Sequence, residues 1–464
     1  MADPRARKRR DRQTPILINI GLDYGTSFSK LCVRHSGREY SEICRFGRKL
    51  PDEALLPSAV LIDANGKLSA PTPGSQVGGP QSARYLKMGL ADEEFARIPN
   101  LRLLKKFDRQ AVIRALSSWY IAHALKMART WTLANWTNRI GSREVDWSCN
   151  MGVPVAYYDS PILEVFSETL QVAWTWFEQN RTLVSIEDAI NEYTATLNTL
   201  NPDDLKCDPY PEIAAAIQSF AVGRSAREAV YIYFDVGGGT VDGVSFRLSR
   251  PAGEAKVDFF SADVQPYGVA AFAEAFQREA MRSENGETFR DLIKGLLSEI
   301  PNDLAQRYSG FVRSLQTLVS SVIVTAQRKD GMDWRSISVD GRKWPHNYVA
   351  LPEDQIRKLT VFVGGGAYNS DFYRASISST YGKRQHQNYG IPPYELRVPP
   401  KPHDLELGDM DPDLYHRFLV AHGLSIPFGE GPDIRLPSQT EAPQRRRKII
   451  GPGYSYEDMK SMFD

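Results

Sequence analysis

Three glycine-bearing segments carry most of the chemistry legible in this chain. Asp23 ends an apolar run and is followed by Gly25 and Thr26; Asp235 ends a second run and is followed by Gly237, Gly238, Gly239 and Thr240. A third segment, Gly364-Gly365-Gly366, closes the run TVFV (360–363). Glycine permits positive φ and lets a ligand approach the backbone. Successive free N–H groups in such turns form anion-binding nests. A single glycine run is most simply a tight turn, so the weight lies in the set. Two of the three are led by an Asp at the end of an apolar run. A carboxylate beside phosphate-binding amides would repel the phosphate unless a cation lay between them. Mg²⁺ meets that need, because it takes one or two carboxylates, several waters and substrate phosphates. The third loop has no acidic partner and suits the neutral part of a nucleotide. No GxxxxGK[ST] occurs, so this is not a Walker-type loop. Nor do the glycines follow the GxGxxG order of a dinucleotide fold.

The flanking residues predict the elements that position these loops. Residues 15–22, a polar glycine turn and LCVR read as a β-hairpin. AVYIYFDVGGGTVDGVSFRL (229–248) repeats that layout about 210 residues later, which suggests two related lobes. LPSAVLID (56–63) reads as a strand and PTPGSQVGGP (71–80) as a loop. Residues 110–136 are amphipathic at helical spacing, with Trp119, Tyr120, Ala124, Met127 and Trp131 as core residues. CNMGVPVAYY (149–158) reads as a buried strand running into a loop, and 160–180 as a helix that packs Trp174 and Trp176. PEIAAAIQSFA (211–221) is an Ala-rich helix opened by Pro211 and Glu212, both favoured in a first turn. Residues 268–328 read as mainly helical, TVFVGGGAYN (360–369) as a strand before a helix, 391–413 as Pro-rich and irregular, and 415–427 as a last helix.

Composition bounds the partners. Of 464 residues, 42% are hydrophobic, enough for more than one core. Lys and Arg (57) nearly cancel Asp and Glu (56), so no global charge argues for nucleic acid or an acidic membrane as the main partner. Basic runs at 5–12 (RARKRRDR) and 445–448 (RRRK) read as solvated tails. Four widely spaced cysteines, with no Cys-x-x-Cys, argue against a zinc site or a disulfide framework. No secretory signal or membrane-spanning run is read, so a soluble, cytoplasmic chain is expected.

Taken together, DYGTSFSK, FDVGGGTVDG and VFVGGGAYN resemble the two phosphate motifs and the adenosine motif of the actin, hexokinase and DnaK-type chaperone superfamily. Their order and separations are closest to the nucleotide-binding domain of DnaK-type chaperones. LPSAVLI, MGVPVAYYD, PEIAAAIQSF and FLVAHGLSIP are weaker matches, and the resemblance covers roughly residues 15–430. It implies an α/β, ribonuclease H-like fold of two lobes with ATP between them. The implied division is a basic tail at 1–14, lobe I at 15–224 closed by 409–436, lobe II at 225–408, and a tail at 437–464.

By the same resemblance, Asp23 and Asp235 would hold Mg²⁺ through water, and Gly25, Thr26, Ser27 and Gly237 to Thr240 would contact phosphates. Gly364 to Gly366 would take the adenosine. Glu212 would orient the attacking water, and the catalytic lysine would be Lys87, with Lys105 as rival. Two departures stand out. Lys30 occupies a position where actin-like members keep a phosphate-contacting Lys. Tyr368 stands where chaperones carry an Arg that stacks on adenine. The chaperones' peptide-holding β-sandwich is not recognisable here. The implied activity is slow or partner-stimulated ATP hydrolysis that switches a protein partner; a self-associating actin-like filament former and a small-molecule kinase are the alternatives. In the tail, Tyr456, Met459 and Phe463 fall on one face of a short helix at 454–464, a candidate docking segment.

Overall fold

The computed structural model describes residues 14–38, 40–47, 52–73, 75, 77–223, 226–280, 309–341, 351–381 and 390–441. It is a mixed α/β protein with several mixed sheets. The chain opens with β1 (Ile16–Asp23) and β2 (Phe28–His35), an antiparallel hairpin, and β3 (Ser41–Ile43). All of β1 except Leu17 is buried, as a near-continuous apolar run requires of a strand covered on both faces. The expected single strand at 56–63 is instead two: β4 (Leu56–Pro57) pairs with β2, while β5 (Ala59–Ile62) joins β6 (Leu68–Ser69) and β7 (Ser82–Arg84) in a small sheet. Pro57 offers no N–H to continue a ladder, and Ser58 turns aside to donate its N–H to Ser27 O.

Then follow α1 (Leu86–Ala91), α2 (Arg109–Asn135), β8 (Val145–Val153), α3 (Ile162–Glu178), α4 (Ile186–Leu197), β9 (Cys207–Pro211) and α5 (Glu212–Val222). Asp108 caps α2 by accepting from the Ala111 N–H, and the helix buries Tyr120, Ala124 and Trp131 against the core of the first sheet, while Trp119 and Met127 are half-buried. Trp174 and Trp176 are fully buried on α3. Where a strand was read as passing into a loop after residue 153, the chain makes a helical turn, Val155–Tyr158.

The second half repeats the plan with β10 (Ala229–Val236), β11 (Val241–Ser249), β12 (Lys256–Gln265), α6 (Val269–Ala280), α7 (Ser309–Asp330), β13 (Leu359–Gly364), α8 (Asp371–Ser378) and β14 (Tyr394–Arg397). Residues 281–308, part of the segment read as helical, lie outside the described residues. The chain then adds β15 (Leu405–Glu406), α9 (Leu419–Leu424) and β16 (Asp433–Arg435).

The two large sheets share one topology. In the first, β3, β2 and β1 are antiparallel, and β8 and β9 continue in parallel beyond β1. In the second, β12, β11 and β10 are antiparallel, and β13 and β14 continue in parallel beyond β10. Each set ends in a helix, α5 after β9 and α9 after β14 and the short β15. These two helices cross closely: a Cβ on Gly423 would overlap the Ala215 carbonyl. Ile213, Ala214 and Ile217 of α5 share a core with Tyr233, Phe246 and Phe259 of the second sheet, which ties the halves together.

The edge strands depart from the expected division. Residues 391–413, read as irregular, contain β14 and β15. β15 pairs with β3 of the first sheet, and β16, within 409–436, pairs with β12 of the second. The buried Arg34–Asp404 ion pair (2.6 Å) draws residues 404–406 onto the first sheet. The last helix is short, six residues preceded by a 3₁₀ turn at Pro412–Arg417. No described helix is long and apolar enough to cross a membrane.

Candidate functional site

The turns of the two central hairpins face one another. A Cβ on Gly238 would overlap the Ser27 hydroxyl, and one on Gly239 would overlap the Thr26 methyl. Glycine is therefore required where the loops meet. The carbonyls of Gly237, Gly238 and Gly239 accept from the N–H groups of Val269, Ala270 and Gly268, at the start of α6. These donors have no partner within their own helix. In a trans peptide the carbonyl and the following N–H point in opposite directions. The N–H groups of Gly238, Gly239 and Thr240 are thereby turned away from α6, which makes a nest able to bind an anion. The third loop closes against the second: Gly365, at φ +81°, sits where any Cβ would lie 2.6 Å from Asp235 Oδ1.

Six charged side chains gather around these turns. Asp23 and Lys30 are directly opposed across the first hairpin and bond at 2.6 Å. Asp235 is opposed across the second hairpin by Asp242, which the sequence reading passed over. Lys87 on α1 donates to Glu212 at the first position of α5, and both are buried. Lys105, the rival lysine, is exposed on a 3₁₀ turn elsewhere. Tyr85, just before α1, takes the left-handed conformation (φ 56°, ψ 32°), which costs a bulky residue on the order of 1–3 kcal/mol. Its hydroxyl donates to Glu274 of α6 at 2.6 Å, so α1 is pinned to the helix that holds the glycine loop.

The cluster is short of positive charge. Asp23, Asp235, Asp242 and Glu212 face only Lys30 and Lys87. Burial, reinforced by Asp23, pushes Asp235 up to about 6. Burial pushes Glu212 up to about 7 against the pull of Lys87, with Asp23 and Asp235 adding to the rise. Asp242 is raised well above the usual carboxylate range by burial and then by Glu212. Burial opposes the charge on Lys87, yet Glu212, Asp242 and Asp23 outweigh it, so this lysine stays protonated. Asp235 Oδ1 and Asp242 Oδ1 are buried with no hydrogen-bond partner. An unmet buried carboxylate oxygen is costly. A cation with its waters would remove that cost, and Mg²⁺ needs only one or two carboxylates. Among the described residues, no three His, Cys, Asp or Glu side chains converge closely enough to ligate a metal together.

The structure thus brings together Asp23, Gly25, Thr26, Ser27, Lys30, Lys87, Glu212, Asp235, the Gly237–Thr240 turn and the Gly364–Gly366 turn. Tyr368 follows the third loop, and its ring lies against His416, whose pKa burial lowers to about 4. A cavity of 370 Å³ lies at the opposite end of the second sheet, between Val230, Leu248 and Trp334. A smaller one, of 180 Å³, reaches the cluster's edge at Tyr85 and Met88. Neither the models of known protein families nor the curated proteins match this chain, so its functional reading rests on the geometry of the cluster and the sequence pattern around it.

Proposed function

We propose that the chain binds ATP with Mg²⁺ where the three loops meet, hydrolyses it slowly, and works as a nucleotide-dependent switch on a protein partner. The observation that carries this reading is the pair of partnerless, buried carboxylate oxygens on Asp235 and Asp242. They lie beside amides that α6 turns outward and a buried Lys87–Glu212 pair. The repeated sheet topology and the crossing of α5 and α9 support an actin-like arrangement of two lobes with the nucleotide between them.

Each residue then has a task. The N–H groups of Gly238, Gly239 and Thr240 and the hydroxyls of Thr26 and Ser27 donate to phosphate oxygens. Asp23, Asp235 and Asp242 would hold Mg²⁺ through its waters, and the ion would neutralise phosphate charge. Glu212, with a pKa near neutral, takes the proton of the attacking water. Lys87 fixes the orientation of Glu212 and presents a positive charge to the transferring group. Lys30 holds Asp23 in place. Catalysis of this kind is mostly positioning and charge neutralisation. The loops come from both halves of the chain, so nucleotide binding would couple their relative position to the state of the phosphate. Glu212→Gln tests the assignment. ATP binding should persist while single-turnover hydrolysis slows by on the order of 10²–10⁴. An unchanged rate would remove Glu212 from the chemistry.

A further inference from the structure

The 370 Å³ cavity at the far end of the second sheet takes no part in the chemistry above. Its volume is at the small end of the range for ligand pockets, with room for a few anchoring side chains. Val230, Leu248 and Trp334 give it an apolar wall, and its charged lining sets Arg247, Arg357 and Lys358 against Glu228 and Asp330. Arg247 is held by the buried Asp330, which itself accepts from Trp334 Nε1 at 2.7 Å. Arg357 and Lys358 make no ion pair with a described residue; Lys358 is exposed. An occupant should therefore bring apolar anchors and negative charge.

The chain contains such a segment close by. Lys329, next in sequence to the cavity residue Asp330, donates to Pro437 O at 2.7 Å, and Ser438 is held by Asp159, so the last described turn lies one lysine side chain from the helix that reaches the cavity. Residues 442–453 could span about 40 Å if extended, ample to bring 454–464 back. That segment, YSYEDMKSMFD, spaces Tyr456, Met459 and Phe463 as one face of a helix would require, with Glu457, Asp458 and Asp464 against a single Lys460. We propose that residues 454–464 dock in this cavity of their own chain, the aromatic and Met side chains against Trp334 and the carboxylates near Arg357 and Lys358. The segment is then a tethered ligand of the second half of the molecule, at the end remote from the loops. This docking does not depend on the ATPase reading.

Cross-linking in the full chain tests it. A Lys358→Cys, Ser461→Cys variant is treated with a short bis-maleimide; the four native cysteines are buried and do not compete. The expected product is a cross-linked monomer that joins positions 358 and 461, formed at a rate independent of protein concentration. Adding Phe463→Ala should slow it about tenfold, as loss of one anchor does, and salt should slow it further. Three results would overturn the proposal: cross-linked dimers alone, which would make a second copy the occupant; no product although both thiols react with a monofunctional maleimide; or an intramolecular rate unaffected by Phe463→Ala.

Discussion

The two central hairpins are the same device built twice, and they differ in one charge. Each runs strand, Asp, glycine turn, strand, with β8 or β13 pairing in parallel along its first strand. Seven residues after the leading Asp, the first hairpin has Lys30 and the second has Asp242, each directly across from its Asp. The first carboxylate is neutralised within its own hairpin at 2.6 Å. The second is opposed by another acid, and one oxygen of each is left without a partner. A repeated scaffold thus has one half whose leading carboxylate is paired and one whose facing carboxylates are not. On the proposed reading, a Mg²⁺ ion would meet that second half, close to the buried Lys87–Glu212 pair.

The comparison can be broken from either side. Lys30→Met would give the first hairpin the same unmet charge as the second. Removing one partner of a buried pair costs about 3–5 kcal/mol; here, with Lys30 partly open to solvent, the lower end is expected in urea unfolding. A loss under about 0.5 kcal/mol, the range of ordinary surface substitutions, would mean that Asp23 finds compensation elsewhere and the two hairpins do not differ as argued.

A smaller effect should appear in the pH dependence of stability. In the folded chain, Asp235 and Glu212 keep their protons up to about pH 6 and about pH 7. Unfolded carboxylates lose theirs near pH 4. The folded state therefore binds more protons between those values. The stability these two groups contribute is complete below about pH 4 and is lost as pH rises through 6 to 7. Asp404, held below the usual carboxylate range against burial by His422 and Arg34, acts in the opposite sense in more acidic solution. His416, lowered by burial to about 4, also acts in the opposite sense, between about pH 4 and 6.5, and buried His422 adds to it. The acids are therefore read as the difference between the metal-free native chain and Glu212→Gln, in which the histidines are common. The native melting temperature should fall relative to the variant by roughly a few degrees from pH 5 to pH 7.5. A difference that stays constant over that range would contradict the raised affinity of Glu212 for its proton.

Much of this was legible where local pattern and tertiary role coincide. Both hairpins, α2, α5 and the strand before the third glycine loop follow from periodicity, caps and turn residues, and each forms as read. The edge strands β15 and β16 were not legible, because two or three residues carry no periodic signal and their pairing is settled by contacts such as Arg34–Asp404. The division of 56–63 was hidden because Pro57 reads as a residue and not as a missing donor. Lys87 and Lys105 both lie in short apolar-and-basic stretches of sequence, and only the packing of Lys87 against Glu212 separates them. Asp242 was the avoidable omission. Once a hairpin is drawn through Asp235, the register places residue 242 opposite it, just as it places Lys30 opposite Asp23.

The central claim is that the second hairpin requires a divalent cation together with phosphate. Calorimetric titration of ATP into the full chain, with Mg²⁺ and then with a chelator, measures it directly, and Asp242→Asn supplies the comparison. The account predicts much tighter binding with Mg²⁺ for the native chain. It also predicts that most of that advantage, on the order of 10–100-fold as for residues that support a metal through its ligands, is lost in the variant. Equal ATP affinity with and without Mg²⁺ in the native chain would contradict it.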